Sequence, residues 1–110
     1  MTDLEMTKLC AEAMGIRLTG AVVDTEPPSL YANRKDGNGI FVFDPLRNDA
    51  QAMALLHFIR PANMSYNIFA SGWSIRTLPD NETSYRFETF NVDLNRAIVE
   101  CVAKMQSAKK

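Results

Sequence analysis

Leu94, Ala97, Ile98, Cys101, Val102 and Met105 recur at intervals of three and four residues, the cleanest helical stripe in the chain. A helix over this stretch presents one continuous apolar face, which must be covered by a second layer of structure. Asn91 or Asp93 supplies its N-cap, and Gln106 to Lys110 reads as a basic tail, favourable at the negative end of a helix dipole. The rest of the chain has to provide the cover.

Two further helices are predicted. Thr2-Asp3-Leu4-Glu5 fits a capping box, with Met1 and Met6 placed for the hydrophobic staple. Met6, Leu9, Cys10, Ala13 and Met14 then repeat at helical spacing over 2–14, and Gly15 is a C-terminal stop. In the middle of the chain Asn48 caps a helix that has Gln51 at its third position. Its stripe is Ala52, Leu55, Leu56 and Ile59, widened by Met53, and Pro61 ends it.

Strands account for most of the remainder. Leu18–Val23 and Ile40–Phe43 read as strands joined by a long polar loop, 24–39, which holds Pro27-Pro28 and the turn dipeptides Asp36-Gly37 and Asn38-Gly39. From 64 to 90 the period is two, with turns at Ala70-Ser71-Gly72 and Pro79-Asp80-Asn81. That pattern gives one apolar face (Tyr66, Ile68, Trp73, Ile75, Tyr85, Phe87) and one polar face (Ser65, Asn67, Ser74, Arg76, Arg86, Glu88). The expected order is helix, strand, strand, helix, three strands, helix. It describes a single α+β sandwich domain over 1–110, a mainly antiparallel sheet of about five strands packed with three amphipathic helices.

Composition bounds the function. The 110 residues carry 12 Lys+Arg and 13 Asp+Glu, a net charge of -1, which argues against a nucleic-acid-coating protein. No apolar run approaches the roughly 18 to 20 residues of a membrane span, and the N-terminus, with Asp3 and Glu5, is not a secretory signal. A cytoplasmic protein without a membrane partner is expected. There Cys10 and Cys101 are expected to be core thiols, not a disulfide. The one histidine, His57, cannot build a multi-histidine metal site and reads as a boundary residue.

No GxSxG, Walker loop, GxGxxG or Cys/His pair is present, so no catalytic residue, metal or cofactor is expected. Asp24 with Glu26, and Asp44 with Asp49, read more simply as turn and cap chemistry than as acid/base pairs.

Several segments resemble the phage ABA sandwich domain, a family of small phage-encoded proteins. They are Asp3-Leu4-Glu5 through Cys10-Ala11-Glu12-Ala13-Met14-Gly15, and Phe43-Asp44-Pro45-Leu46-Arg47-Asn48-Asp49 through Leu55. The aromatic strand around Trp73 and the closing Asp93-Leu94-Asn95-Arg96-Ala97-Ile98-Val99-Glu100 complete the likeness. The matching positions are helix caps and core residues, so the resemblance implies a fold and carries over no catalytic residues. It also implies a phage accessory protein that acts in counter-defence by binding.

Two binding functions follow. The first is capture of an anionic small molecule such as an immune signalling nucleotide. One candidate surface for it is the loop with Tyr31, Asn33, Arg34 and Lys35, whose glycine N–H groups are able to approach an anion. The other is the polar sheet face with Asn67, Arg76 and Arg86 and with Trp73 or Tyr85 at its rim, where pairing of Arg86 with Glu88 is the simpler use. The second function is inhibition of a host defence protein: Met6, Met14, Met53, Met64 and Met105 offer adaptable apolar surface, although core filling is the simpler use of most of them. Homo-oligomerisation through an open sheet edge is compatible with either.

Overall fold

The computed structural model describes residues 1–24, 28–59, 63–77 and 87–109. Tyr85, Arg86, Glu26, the helix stop at Pro61 and the turn at Pro79-Asp80-Asn81 lie outside the described residues. The elements run α1 (Asp3–Ala13), β1 (Leu18–Val23), β2 (Ser29–Asn33), β3 (Ile40–Phe43), α2 (Asp49–Ile59), β4 (Asn63–Asn67), β5 (Gly72–Thr77), β6 (Phe87–Asn91) and α3 (Leu94–Ala108). The class is α+β with three helices, but the strands form two separate three-stranded antiparallel sheets, β1-β2-β3 and β4-β5-β6.

Two expectations are corrected here. There are six described strands rather than about five, and the supposed loop 24–39 contains the central strand of the first sheet. In β2, Leu30 and Ala32 turn into the core while Ser29, Tyr31 and Asn33 take the other face. The alternation spans only five residues, between prolines and a charged turn, and one of its inward positions is an alanine. Such a strand is held by its neighbours on both sides rather than by its own apolarity.

The helix ends are built by local hydrogen bonds. At the start of α1, Thr2 Oγ1 accepts from the Glu5 N–H at 3.1 Å and the Glu5 carboxylate accepts from the Thr2 N–H at 3.2 Å. At its end, Gly15 N–H donates to the Glu12 carbonyl and Ile16 N–H to the Ala11 carbonyl. That is a Schellman closure, with Gly15 in the left-handed conformation it requires. At α3 the cap is Asp93, whose carboxylate accepts from the Asn95 N–H at 3.0 Å, while Asn91 accepts from the Asp93 N–H just outside the helix.

In α2, Asn48 caps as expected, its side chain accepting from the Gln51 N–H at 3.0 Å. Gln51 leaves the expected capping box. Its amide reaches β3 instead, donating to the Val42 carbonyl at 2.8 Å and accepting from the Asp44 N–H at 2.6 Å. The strand end thus receives, from a side chain, the pairing that a further strand would give.

The core is one continuous cluster. α3 packs against α1, α2, β5 and β6, and α1 packs against β2. Because α3 is enclosed on several sides, Val99, Ala103 and Asn95 are buried along with Ala97, Ile98, Cys101 and Val102. Asn95 donates to Asp49 at 2.8 Å, tying the start of α3 to the start of α2. Asp3 and Arg96 form a two-bond ion pair at 2.8 and 3.0 Å that links α1 to α3. Met53, placed on the α2 stripe from sequence, is exposed instead, because α2 buries only the narrow line of Ala52 and Leu55.

Candidate functional site

The polar face of the second sheet is already occupied by its own contacts. Arg76 sits directly across from Glu88 and their side chains meet at 3.0 Å. Asn67 is a turn residue: its side-chain oxygen accepts from the Phe69 and Ala70 N–H groups at 3.0 and 3.1 Å. Trp73 stands on the opposite, core-facing side with Ile75, where its ring lies 5.2 Å from that of Tyr66 at 60°. Asn67, Arg76 and Trp73 are therefore not gathered into one surface.

The hairpin of the first sheet differs. Arg34 N–H donates to the Gly39 carbonyl at 3.0 Å and closes β2 onto β3. Asp36 accepts from the Asn38 N–H at 2.9 Å within the turn. Gly37 N–H donates to the Arg34 carbonyl at 3.0 Å, so this glycine donor, expected to face an anion, is engaged inside the loop. The side chains of the hairpin are open to a ligand.

Those side chains border a cleft of about 800 Å³ between the end of α1 and the hairpin. Met14, Gly15, Ile16 and Arg17 line it on the α1 side, and Asn33, Arg34, Lys35, Gly37 and Phe41 on the hairpin side. Met14, Ile16 and Phe41 are half-buried against the core and make an apolar floor. Arg17, Arg34 and Lys35 are exposed at its rim, and none of them forms a salt bridge among the described residues. Arg17 is held to the hairpin through its backbone, its carbonyl accepting from the Asn33 N–H at 2.8 Å.

Of the loop residues singled out in the sequence, Asn33, Arg34 and Lys35 come together here. Tyr31 does not line the cleft. It lies half-buried across from Val42, and Phe41, which pairs with Ala32, supplies the aromatic surface. Arg17 and Phe41 were missed because both depend on how the helix end meets the hairpin. The signal nearest to them is the placement of Arg17 two residues after the Gly15 helix stop.

Several other titratable groups have partners within the fold. Asp44 pairs with Arg47 at 2.6 Å, and Asp49 accepts from Asn95 at 2.8 Å. Arg96, by its hydrogen bonds, holds the Asp3 carboxyl below its ordinary value. Cys10 and Cys101 are buried free thiols. Burial, with Cys101 nearby, pushes Cys10 up to about 12, and burial pushes Cys101 up to about 11. Both stay protonated at neutral pH, so neither is a nucleophile there. His57 lies exposed on α2. Among the described residues no group of three or more His, Cys, Asp or Glu is placed to hold a metal ion, and no helix is long and apolar enough to cross a membrane.

No family model, curated protein or solved structure matches the chain.

Proposed function

We propose that the chain binds an anionic small molecule of the nucleotide class in the cleft between α1 and the β2–β3 hairpin, and acts by sequestering it. The observation that carries this reading is the group of three exposed cations, Arg17, Arg34 and Lys35, without salt-bridge partners among the described residues, above the apolar floor of Met14, Ile16 and Phe41. Guanidinium groups match phosphate oxygens in geometry and charge. A flat base fits against Phe41, with the phosphates at the rim. A cleft of about 800 Å³ lies within the range of small-molecule sites.

Three cations in one place suit a compact anion better than a long polyanion, which needs many phosphate contacts to hold at physiological salt. A counter-defence role, with a signalling nucleotide as the captured molecule, is part of the same proposal and rests on the sequence resemblance alone.

Thermal denaturation with a panel of cyclic mono-, di- and oligonucleotides tests the reading. A ligand at 100 times its Kd adds about 2.7 kcal/mol, which for a chain of this size raises Tm by roughly 10 °C. No upshift with any of them overturns it.

The second reading is a protein-binding inhibitor of a host defence complex. It is favoured by the outer face of α2, where Met53 and Phe58 stand 40% and 52% exposed. A stoichiometric host protein retained on the chain, with no nucleotide upshift, decides for it.

A further inference from the structure

The four sheet edges of the described chain are not treated alike. β1 carries a register shift between Leu18 and Val22, so its outer edge is irregular. β3 is capped by the Gln51 amide on Val42 and Asp44. β6 lies against α3, and Lys104 donates to the Glu88 carbonyl at 3.5 Å. Bulges, side-chain caps and lysines are the usual means by which proteins keep an edge from adding another strand.

β4 has none of them. Among the described residues it pairs with β5 alone, in unbroken register from Asn63 to Asn67, and no side chain caps its outer edge. Its sequence, Asn-Met-Ser-Tyr-Asn, holds no charge, no proline and no glycine. Apolar side chains stand open along this strand and its tip: Met64 and Tyr66 are about half exposed, and the turn that follows puts Ile68 69% and Phe69 97% in solvent.

We propose that β4 pairs antiparallel with β4 of a second copy of this chain, about a two-fold axis at Ser65, to join two three-stranded sheets into one of six strands. A two-fold interface must be complementary to itself, and this strand meets that condition. Antiparallel pairing centred on Ser65 sets Met64 of one copy opposite Tyr66 of the other, on the face where Tyr66 already leans on Trp73. Each side of the axis then carries a row of tryptophan, tyrosine and methionine, and thioether–aromatic contact is favourable. No like charges meet across the axis, because the strand has none.

The area fits a weak dimer. An aromatic side chain buries about 150–250 Å². Full cover of the exposed parts of Met64 and Tyr66, and of Ile68 and Phe69 at the tip beyond the strand, in both copies sets an upper bound on the order of 1,000 Å², at the low end of specific interfaces. The pairing does not involve the cleft and stands apart from the ligand reading.

Sedimentation equilibrium of the wild-type chain and of Ser65→Lys tests it. The wild type is expected at twice 12.3 kDa in the range of tens of micromolar. Ser65→Lys sets two ammonium groups against each other on the axis and is expected to weaken the dimer at least about tenfold. Phe69→Ser, at a side chain that touches almost nothing in the monomer, is expected to weaken it without changing the circular dichroism spectrum. This second variant keeps the test valid if Ser65→Lys fails to fold. A wild type that stays at 12.3 kDa up to about 1 mM overturns the proposal and leaves the edge to a different chain. So does a dimer that the folded variants leave undiminished.

Discussion

The two sheets of this protein carry arginines in opposite ways. In β4-β5-β6 the cation is placed by strand register directly across from a carboxylate, Arg76 to Glu88, and the adjacent amide of Asn67 is taken up by its own turn. In β1-β2-β3 the cations stand at the end of the sheet, where the hairpin meets a helix terminus, and among the described residues no carboxylate forms a salt bridge with them. The carboxylate of Asp36, the nearest in sequence, accepts from the Asn38 N–H inside the turn. A charge paired across strands supports the sheet, and one at a sheet end without a partner is available to a ligand. The first sheet is thus read as the binding side of the molecule and the second as structural.

The largest effect expected from that contrast is on binding. Replacing Arg17 and Arg34 together by Ala removes two charge-assisted contacts of about 1.5–3 kcal/mol each, or roughly a hundredfold or more in affinity. Arg76→Ala should leave affinity unchanged. Isothermal titration of both variants with whichever nucleotide raises Tm separates the two sheets, and equal losses would erase the distinction.

Stability should respond in the reverse sense. Phe90 lies over Gly72 so closely that a Cβ at that position would meet its ring and the Asn91 carbonyl. Gly72→Ala is expected to cost about 1–3 kcal/mol by overpacking, read from urea denaturation, with ligand affinity intact. Asn67→Ala removes the acceptor that closes the β4–β5 turn and should cost about 1 kcal/mol in the same assay.

The differing fates of these residues also show what is legible in a sequence. Helix caps are read well, because Thr2, Asn48 and Asp93 act on backbone groups two or three residues away. The same locality exposes the turn glycines and the alternation of β5. Gln51 is the exception: it follows its cap at the right spacing, yet bonds to a strand seven and nine residues behind it. β2 was hidden because its identity depends on neighbours at both edges, and its own five residues hold only two inward side chains. At the site, Arg34 and Lys35 were visible as a basic turn. Arg17 and Phe41 were not, since nothing local says that the end of α1 docks beside that turn.

The smallest expected effect lies outside both sheets. The Asp3 carboxyl, held below its ordinary value of 3.8 by Arg96, stabilises the fold fully above that value and loses its contribution as pH falls through the lowered one. Tm of the wild type should therefore fall toward that of Asp3→Asn below about pH 4, by a small amount since the pair is partly exposed. A constant gap between the two curves down to pH 2 would mean that the pair is not what stabilises the α1–α3 contact.

The central claim is that anionic ligand meets the protein at the end of the first sheet. Amide chemical-shift mapping during titration with a phosphate-bearing nucleotide tests it most directly, because each surface reports separately. The account predicts perturbations clustered at Arg17, Asn33, Arg34, Lys35 and Phe41, with Ser74, Arg76 and Glu88 unmoved. Perturbations centred on Ser74, Arg76 and Glu88, or none at saturating ligand, would contradict it.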